Sequence, residues 1–444
     1  MTDFVIVGGG ISGLAAAWEL SADPSARITV LEGSPRLGGK IRTETFAGRQ
    51  VDLGPDAFLR RVPEALTLCD ELGLHDLIAP AHGTAKVWLD GTLQALPAGL
   101  VLGVPARFDD LETSGILSAD GLARARAETT LAGLPITEDL TVGALIRSRY
   151  GDELADRIVG PLLGGIAAGN IDEMSVDASV PQLAVAARNA KSITKALATT
   201  PAAAAGPVFA APHGGMGVLI DTLVRRLGER GVEFRLNTTV SELPEADGVI
   251  ITTAAPVTAD LLTGRCDEAA ELLRSIEHAS VVFTAVAYRA ADLPEDLDGS
   301  GFLVPRTAGL SITAASWSSS KWAHLAGDPV ILRVSMGHTA DPAAIDLPDD
   351  AIAERIATDL HTTMGITAAP TDIRINRFWD GFPQYRPGHL DRTAMVEAHL
   401  AAQLPHVEVA GMAHRGVGIP ACVREARAAA RRLRSRTTSP DRRN

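Results

Sequence analysis

The chain has few cysteines, few aromatic residues and no long apolar run. Its 444 residues include three scattered cysteines and no Cys-x-x-Cys pair. This pattern argues against a disulfide framework or a zinc site and is typical of a reducing compartment. The longest stretch without Asp, Glu, Lys or Arg, residues 196–220, contains three prolines and several glycines. It predicts a loop instead of a membrane span. We expect no metal site and no transmembrane segment.

Positive charge is also scarce. The chain has 5 lysines and 36 arginines against 54 acidic residues, a formal net charge of −13, which argues against nucleic-acid binding. The last 21 residues, 424–444, differ, because they carry eight arginines and only two acidic residues. The favoured interpretation of this basic tail is a solvated helix face with a frayed end. Contact with an anionic membrane surface or partner is the alternative.

The remaining composition is that of a folded protein. The hydrophobic content is 46% and there are 42 glycines, as in globular chains, and the length predicts two or three domains. The first apolar run leads directly into glycines and has no small-residue cleavage site, so we predict no signal peptide. We expect a soluble, cytoplasmic protein.

A glycine-rich turn lies between the first predicted strand, residues 4–7, and the first predicted helix, residues 14–20. The turn reads GGGISG and matches G-x-G-x-x-G in the context that dinucleotide binding requires. The first glycine makes the tight turn, the second lets the backbone approach a pyrophosphate, and the third lets the helix pack on the strand. N–H groups at the helix N-terminus would face the phosphates.

An acidic residue completes this motif. The second predicted strand, residues 27–31, ends at Glu32, which is placed to accept a hydrogen bond from a ribose hydroxyl. A purely structural turn is the alternative for a lone G-x-G-x-x-G. Strand, helix and acid in register favour a dinucleotide.

The residues after Glu32 distinguish FAD from NAD. Residues 33–40, GSPRLGGK, continue directly from the acid and contain a second pair of glycines. They resemble the extended fingerprint of the FAD-dependent amine oxidase and protoporphyrinogen oxidase superfamily, where this segment lies along the FAD diphosphate and ribityl chain. Residues 52–59, DLGPDAFL, resemble the segment that passes the flavin ring.

The predicted elements leave the nucleotide-binding part of the chain and return to it twice. A hairpin is predicted about Asp90-Gly91, helices at 142–150, 152–163, 180–197 and 350–364, and strands at 232–236, 248–252, 280–288, 301–305, 311–317, 330–336 and 407–410. The layout resembles the same superfamily and implies an α/β (α+β) fold in three parts. These are a Rossmann-like FAD-binding domain (1–82, 210–260 and 375–444), an antiparallel-sheet substrate domain (83–96 and 261–374) and a helical insertion (97–209).

Three later segments narrow the resemblance to the porphyrinogen oxidases. They are PLLGGIAAGN at 161–170, FPQYRPGHL at 382–390 and GVGIPACV at 416–423; monoamine oxidases share the front fingerprint but not these segments. The arginine-rich, lysine-poor composition resembles that of high-GC bacteria, many of which make haem through coproporphyrin. The resemblance therefore favours coproporphyrinogen III over protoporphyrinogen IX as substrate.

The resemblance implies oxygen-dependent, six-electron oxidation of coproporphyrinogen III to coproporphyrin III in haem biosynthesis, with three H2O2 formed. It implies FAD that is bound tightly but not covalently, and it identifies no catalytic base. The implied cofactor-binding residues are Gly8, Gly9, Gly10, Ile11, Ser12, Gly13, Glu32, Gly33, Lys40, Gly54, Pro55, Asp56, Ala57, Val240, Trp379, Val417, Gly418 and Ile419.

The substrate would carry four propionates, so cationic side chains are expected around it. Arg60 and Arg61 are the first candidates, Lys86 and Arg333 are weaker ones, and for each of them a surface charge is the alternative. Besides the porphyrinogen and O2, transient contact with a haem-pathway enzyme such as ferrochelatase is expected.

Departures from the family pattern keep other functions open. Alanine stands at 421 and 168, where the family usually has Asp and Tyr, and Asn170 replaces an Asp. A protoporphyrinogen IX oxidase, another flavin enzyme such as an amine oxidase or carotenoid desaturase, and a non-catalytic haem-pathway binding protein are the alternatives.

Overall fold

The computed structural model describes residues 2–133, 137–199, 207–294 and 297–437. The strands β1 to β19 are, in chain order, Thr2–Val7, Ala26–Leu31, Thr43–Phe46, Arg49–Asp52, Phe58–Leu59, Leu77–Ile78, Ala85–Leu89, Thr92–Ala95, Leu100–Val101, Val104–Pro105, Phe209–Pro212, Glu233–Arg235, Gly248–Ile251, His278–Tyr288, Gly301–Leu303, Ile312–Ser316, Val330–Met336, Asp372–Pro383 and Val407–Val409. The helices α1 to α17 are Ile11–Leu20, Glu64–Leu72, Asp109–Ser114, Ala119–Arg126, Val142–Tyr150, Asp152–Leu154, Gly160–Ala167, Val176–Ser179, Pro181–Asn189, Ile193–Thr199, Gly217–Glu229, Ala255–Leu262, Asp267–Arg274, Ser318–Lys321, Asp349–Met364, His389–Gln403 and Ile419–Thr437.

A five-stranded parallel sheet forms the nucleotide-binding half, with strand order β12-β2-β1-β13-β19. Both faces are covered, as in doubly wound folds. Alternate side chains of β1 enter different cores: Phe4 and Ile6 pack with α1 and α17, whereas Val7 packs with α12, α13 and α16. This arrangement confirms the predicted Rossmann-like sheet.

A second sheet of seven strands faces the first, with order β18-β14-β17-β16-β15-β7-β8. Its neighbouring strands are antiparallel except for the β15–β7 pair. The helix α15 covers its outer face through Ile352, Ile356 and Leu360. The predicted hairpin about Asp90-Gly91 is confirmed, because β7 and β8 pair on either side of it and both turn residues have positive φ.

The helices α3 to α10 build a third unit with its own core, which confirms the predicted helical insertion. The predicted helix 180–197 is broken into α9 and α10. At the break, the Arg149 guanidinium donates a hydrogen bond to the Lys191 carbonyl (2.6 Å), and the Glu128 carboxylate accepts one from the N–H of Ile193 (2.7 Å). Arg149 and Glu128 also form a buried ion pair at 2.8 Å. These side chains therefore satisfy backbone groups that a continuous helix would pair with each other.

Two segments cross the domain limits that the sequence predicts. Residues 375–383 continue β18 and pair with β14, so they belong to the seven-stranded sheet. The end of α12 and the helix α13 follow residue 260, where the sheet domain is predicted to begin, but they pack on the parallel sheet instead, through residues such as Leu262 and Ala270. The sequence does not predict β18, because polar side chains such as Arg374 and Asn376 interrupt the apolar alternation of Ile373 and Ile375.

The predicted loop 196–220 includes β11 and the start of α11, and its residues 200–206 lie outside the described residues. The basic tail is mostly the C-terminal part of α17, and residues 438–444 also lie outside the described ranges. Arginines of α17 pair with carboxylates of the body, as Arg427 does with Glu19 (3.3 Å) and Arg432 with Glu408 (2.7 Å). Within the described ranges, no helix is both long enough and apolar enough to cross a membrane.

Candidate functional site

A cavity of about 660 Å³ lies between the two large sheets. Its floor is the carboxyl edge of the parallel sheet, where ligands bind in open α/β folds. The segments that follow β1, β2, β13 and β19 all reach it, and the face of β14, β16, β17 and β18 lies opposite. Of the residues predicted to bind the cofactor, those that line it are Gly8, Gly10, Ile11, Ser12, Glu32, Lys40, Gly54, Pro55, Asp56, Ala57, Val417, Gly418 and Ile419.

The glycine-rich turn has the geometry that its sequence predicts. Gly8 has a φ of +106°, and a Cβ on Gly13 would lie 1.9 Å from the Gly8 carbonyl oxygen, so the helix packs directly on the strand. A Cβ on Gly10 would meet only the Gly39 Cα at 3.8 Å. Gly10 is also the N-cap of α1 and provides no capping side chain. The turn therefore leaves both space and backbone donors for a phosphate.

Glu32 follows β2 and is held by backbone groups. Its two carboxylate oxygens accept the N–H of Gly9 (2.7 Å) and the N–H of Ser34 (2.8 Å). These bonds leave further lone pairs on the carboxylate at the edge of the cavity, where a ribose hydroxyl could donate.

Lys40 brings a positive charge into the cavity without a carboxylate to balance it. Its Nζ lies 3.2 Å from the Met412 sulfur, and it forms no ion pair with any residue in the described ranges. Burial lowers the pKa of Lys40. A partly buried cation without an anionic partner is costly, so an anionic group is expected beside it. A dinucleotide diphosphate fits this requirement.

Asp56 lies beside two cations on the opposite wall. One of its carboxylate oxygens is 2.8 Å from Lys321 Nζ and 3.0 Å from an Arg333 nitrogen, and it also accepts the Trp322 indole N–H at 3.1 Å. Burial alone would raise the pKa of Asp56, but Lys321 and Arg333 outweigh it and hold that pKa well below its usual range. The cluster therefore presents a net charge of +1 to the cavity. No local sequence pattern identifies Lys321 as part of this site.

An aromatic wall faces the parallel sheet. Phe283 and Phe378, on paired strands, meet edge to face with ring centroids 5.7 Å apart, and Phe382 also lines the cavity. The sequence does not predict this wall, because the residue pattern of β18 is not that of a regular strand. In the described ranges, no cluster of three or more His, Cys, Asp or Glu residues could hold a metal ion.

Five predicted cofactor residues lie outside the cavity lining. Gly9 and Gly13 support the turn from behind. Gly33 lies beside the segment before Val240, since a Cβ on it would lie 3.4 Å from the Thr239 hydroxyl. Trp379 is 58% exposed. It points away from the cavity because successive strand side chains alternate and its neighbour Phe378 points inward.

The four predicted substrate cations occupy different environments. Arg60 and Arg61 are exposed, outside the cavity lining. Lys86 pairs with Asp298. Only Arg333 lines the cavity, where it pairs with Asp56 and donates to the Gly54 carbonyl.

Comparison with known proteins agrees with this architecture. A family model described as flavin containing amine oxidoreductase matches residues 11–434. The coproporphyrinogen III oxidase of Mycobacterium bovis is 36% identical over 95% of this chain and 94% of its own length. That of Bacillus subtilis is 31% identical over 96% of both. A crystal structure from Exiguobacterium sp. 255-15 is described provisionally as a protoporphyrinogen oxidase. It is 30% identical to this chain with a TM-score of 0.87, and the match covers 98% of this chain and 99% of that one.

The family follows from these matches together with the glycine turn and the unpaired Lys40. This chain belongs to the flavin containing amine oxidoreductase family and is an FAD-dependent oxidase.

Proposed function

We propose that this chain oxidises coproporphyrinogen III to coproporphyrin III. The observation that carries the proposal is the near full-length similarity to proteins named coproporphyrinogen III oxidase, at 31% and 36% identity. Protoporphyrinogen IX is the second candidate, because the structural relative from Exiguobacterium carries that substrate in its description. The predicted cofactor residues that line the cavity, and the three domains with the two shifted segments described above, remain part of this proposal.

The cavity has the character that a tetrapyrrole requires. Its aromatic wall of Phe283, Phe378 and Phe382 suits the flat, apolar faces of pyrrole rings. The net positive cluster of Asp56, Lys321 and Arg333 suits carboxylates at the periphery of the substrate. We infer that Arg60 and Arg61 contact propionates that extend beyond the cavity.

The reaction removes six electrons and six protons from the substrate, and three O2 become three H2O2. FAD, when bound, accepts two electrons in each of three cycles and passes them to O2. Gly10, Glu32 and Lys40 would hold its dinucleotide part, while the aromatic wall orients the porphyrinogen and excludes water. Because the product is aromatic, orientation would supply most of the catalysis.

The product ratio tests this function. Purified protein with FAD is given coproporphyrinogen III in air, and porphyrin fluorescence and H2O2 are measured together, with heat-denatured protein as the control for spontaneous oxidation. We expect three H2O2 for each coproporphyrin III. Porphyrin formation no faster than in the denatured control would reject the proposal.

We also infer that the protein works in the cytoplasm within haem synthesis and meets the next enzyme of that pathway, of the ferrochelatase type, only transiently. Direct transfer would keep the aromatic product out of bulk solvent. Porphyrin release into solution at the same rate with and without such an enzyme would argue against a contact.

A further inference from the structure

Residues 384–389 connect β18 to the first residue of α16 and lie beside the cavity without lining it. Its two aromatic side chains form a pair: Tyr385 is 6% exposed, His389 is fully buried, and their rings stack with centroids 4.0 Å apart. The pair lies against the loop that joins β19 to α17, residues 410–418. The reaction proposed above assigns no role to either residue.

Three backbone groups of that loop are fixed by these two side chains. The Tyr385 hydroxyl donates to the carbonyl of Met412 and accepts the N–H of Gly416 at 2.9 Å. His389 Nε2 lies 2.8 Å from the carbonyl oxygen of His414. A carbonyl only accepts, so this nitrogen carries a proton. Both side chains therefore bind the backbone of one loop.

The ionisation of the pair agrees with this geometry. Burial lowers the pKa of His389 to about 4 and raises that of Tyr385 above its usual range. Both are neutral at pH 7, so the hydroxyl can donate and accept at once, and the imidazole keeps a single N–H for His414.

The loop forms one wall of the cofactor cavity. Met412 and Ala413 line the cavity from its first half, and Val417 and Gly418 from its second. The Met412 sulfur also lies 3.2 Å from the ammonium of Lys40. Any movement of this backbone would change how the cavity wall and Lys40 meet the bound cofactor.

We propose that Tyr385, oriented by the stacked His389, is a positioning residue that fixes this loop against FAD and so sets the affinity and reduction potential of the flavin. This inference rests on the FAD part of the proposed function and is independent of the porphyrinogen. Preorganised backbone dipoles stabilise negative charge on a reduced cofactor without reorganising. A looser loop would therefore weaken the binding of reduced FAD more than the binding of oxidised FAD.

The test compares two tyrosines. Tyr385→Phe keeps the ring stack and removes only the hydroxyl. The matched control is Tyr150→Phe in the helical insertion, where a buried hydroxyl lies 3.0 Å from the Thr194 hydroxyl and is remote from the cavity. His389→Phe is a second variant, which keeps an aromatic ring but removes the donor to His414. FAD dissociation constants are measured by titrating the apoprotein with FAD. Flavin midpoint potentials are measured by reductive titration with dithionite, without substrate.

We expect Tyr385→Phe to weaken FAD binding about tenfold and to weaken binding of reduced FAD more strongly. A further tenfold loss for the reduced form corresponds to a potential about 30 mV more negative. His389→Phe should shift the flavin midpoint potential in the same direction. Tyr150→Phe should leave this potential unchanged, although we expect it to lower the melting temperature about as much as Tyr385→Phe does. Parent-like potentials in both Tyr385→Phe and His389→Phe, or an equal shift in Tyr150→Phe, would overturn the inference. Failure of the porphyrinogen assay alone would not affect it.

Discussion

At the scale of single residues, the front motif could be predicted because each requirement is local. The positive φ of Gly8, the close approach of Gly13 to the strand and the open space beside Gly10 are all consequences of a turn of fixed length. Lys321 could not be predicted, because its place beside Asp56 depends on a contact between residues far apart in the chain.

Gly10→Val tests the cofactor site directly. A Cβ at this position would meet only the Gly39 Cα in the protein, so we expect the apoprotein to fold with a near-parent melting temperature. The isopropyl group would fill the space of the pyrophosphate, so the purified protein should lack the flavin absorption band. Gly83→Val, at a position with nothing within 4 Å, is the control and should stay yellow. A yellow Gly10→Val protein would place the cofactor elsewhere.

Arg60 and Arg61 carry the prediction about substrate choice. A charge-assisted bond to a propionate contributes about 1.5–3 kcal/mol, or about tenfold or more in affinity. We expect either Arg60→Met or Arg61→Met to raise KM for coproporphyrinogen III about tenfold. KM for protoporphyrinogen IX should hardly change, because it has vinyl groups in place of two propionates. Parent-like kinetics in both variants would make these arginines ordinary surface charges.

At the scale of secondary-structure elements, periodicity predicted the apolar strands and failed where polar side chains interrupt the pattern. The strand β14 was recognised from its β-branched run. The strand β18, with Arg374, Asn376 and Arg377, was not, although it supplies Phe378 to the cavity. The motif FPQYRPGHL was recognised only by family resemblance. Its physical role, contacts to the loop before α17, depends on tertiary structure.

Asp52 joins two elements and gives stability a dependence on pH. It ends β4 and accepts the Met216 N–H at the start of α11. Burial raises its pKa from 3.8 to about 6, against opposing contributions from Thr43 and Arg333. The folded state therefore binds the proton more tightly than the unfolded state, so this group's contribution to stability falls as pH rises from about 4 to about 6.

Asp52→Asn should remove that dependence, since the amide resembles the protonated acid. At pH 7 we expect the free energy of unfolding of the variant to exceed that of the parent by up to about 3 kcal/mol. This difference should vanish near pH 4. Chemical unfolding of both proteins between pH 4 and 7 measures it. Asp350→Asn, at an exposed position in α15, is the control. A difference that does not change with pH would contradict the assignment.

At the scale of the whole molecule, the sequence predicted the three-part architecture because the chain returns to the parallel sheet in a characteristic order. The exact division was harder to predict. The helix α13 follows the predicted start of the sheet domain in sequence but packs on the parallel sheet, and only side-chain packing distinguishes these alternatives.

FAD should be held by the assembled fold and not by a covalent bond. Cys422 lines the cavity, but burial raises the pKa of its thiol to about 11, so the nucleophilic thiolate is scarce at pH 7. After denaturation and ultrafiltration, we expect all of the flavin to pass the membrane. Flavin that stays with the polypeptide would contradict this prediction.

The central claim, that this cavity brings a porphyrinogen against FAD, is tested most directly by anaerobic stopped-flow reduction of the flavin. The FAD-loaded protein is mixed without oxygen with coproporphyrinogen III, protoporphyrinogen IX or benzylamine, and the loss of flavin absorbance is followed. The account predicts rapid bleaching by coproporphyrinogen III, slower bleaching by protoporphyrinogen IX and none by the amine. Flavin that is bleached by the amine, or by neither porphyrinogen, would contradict it.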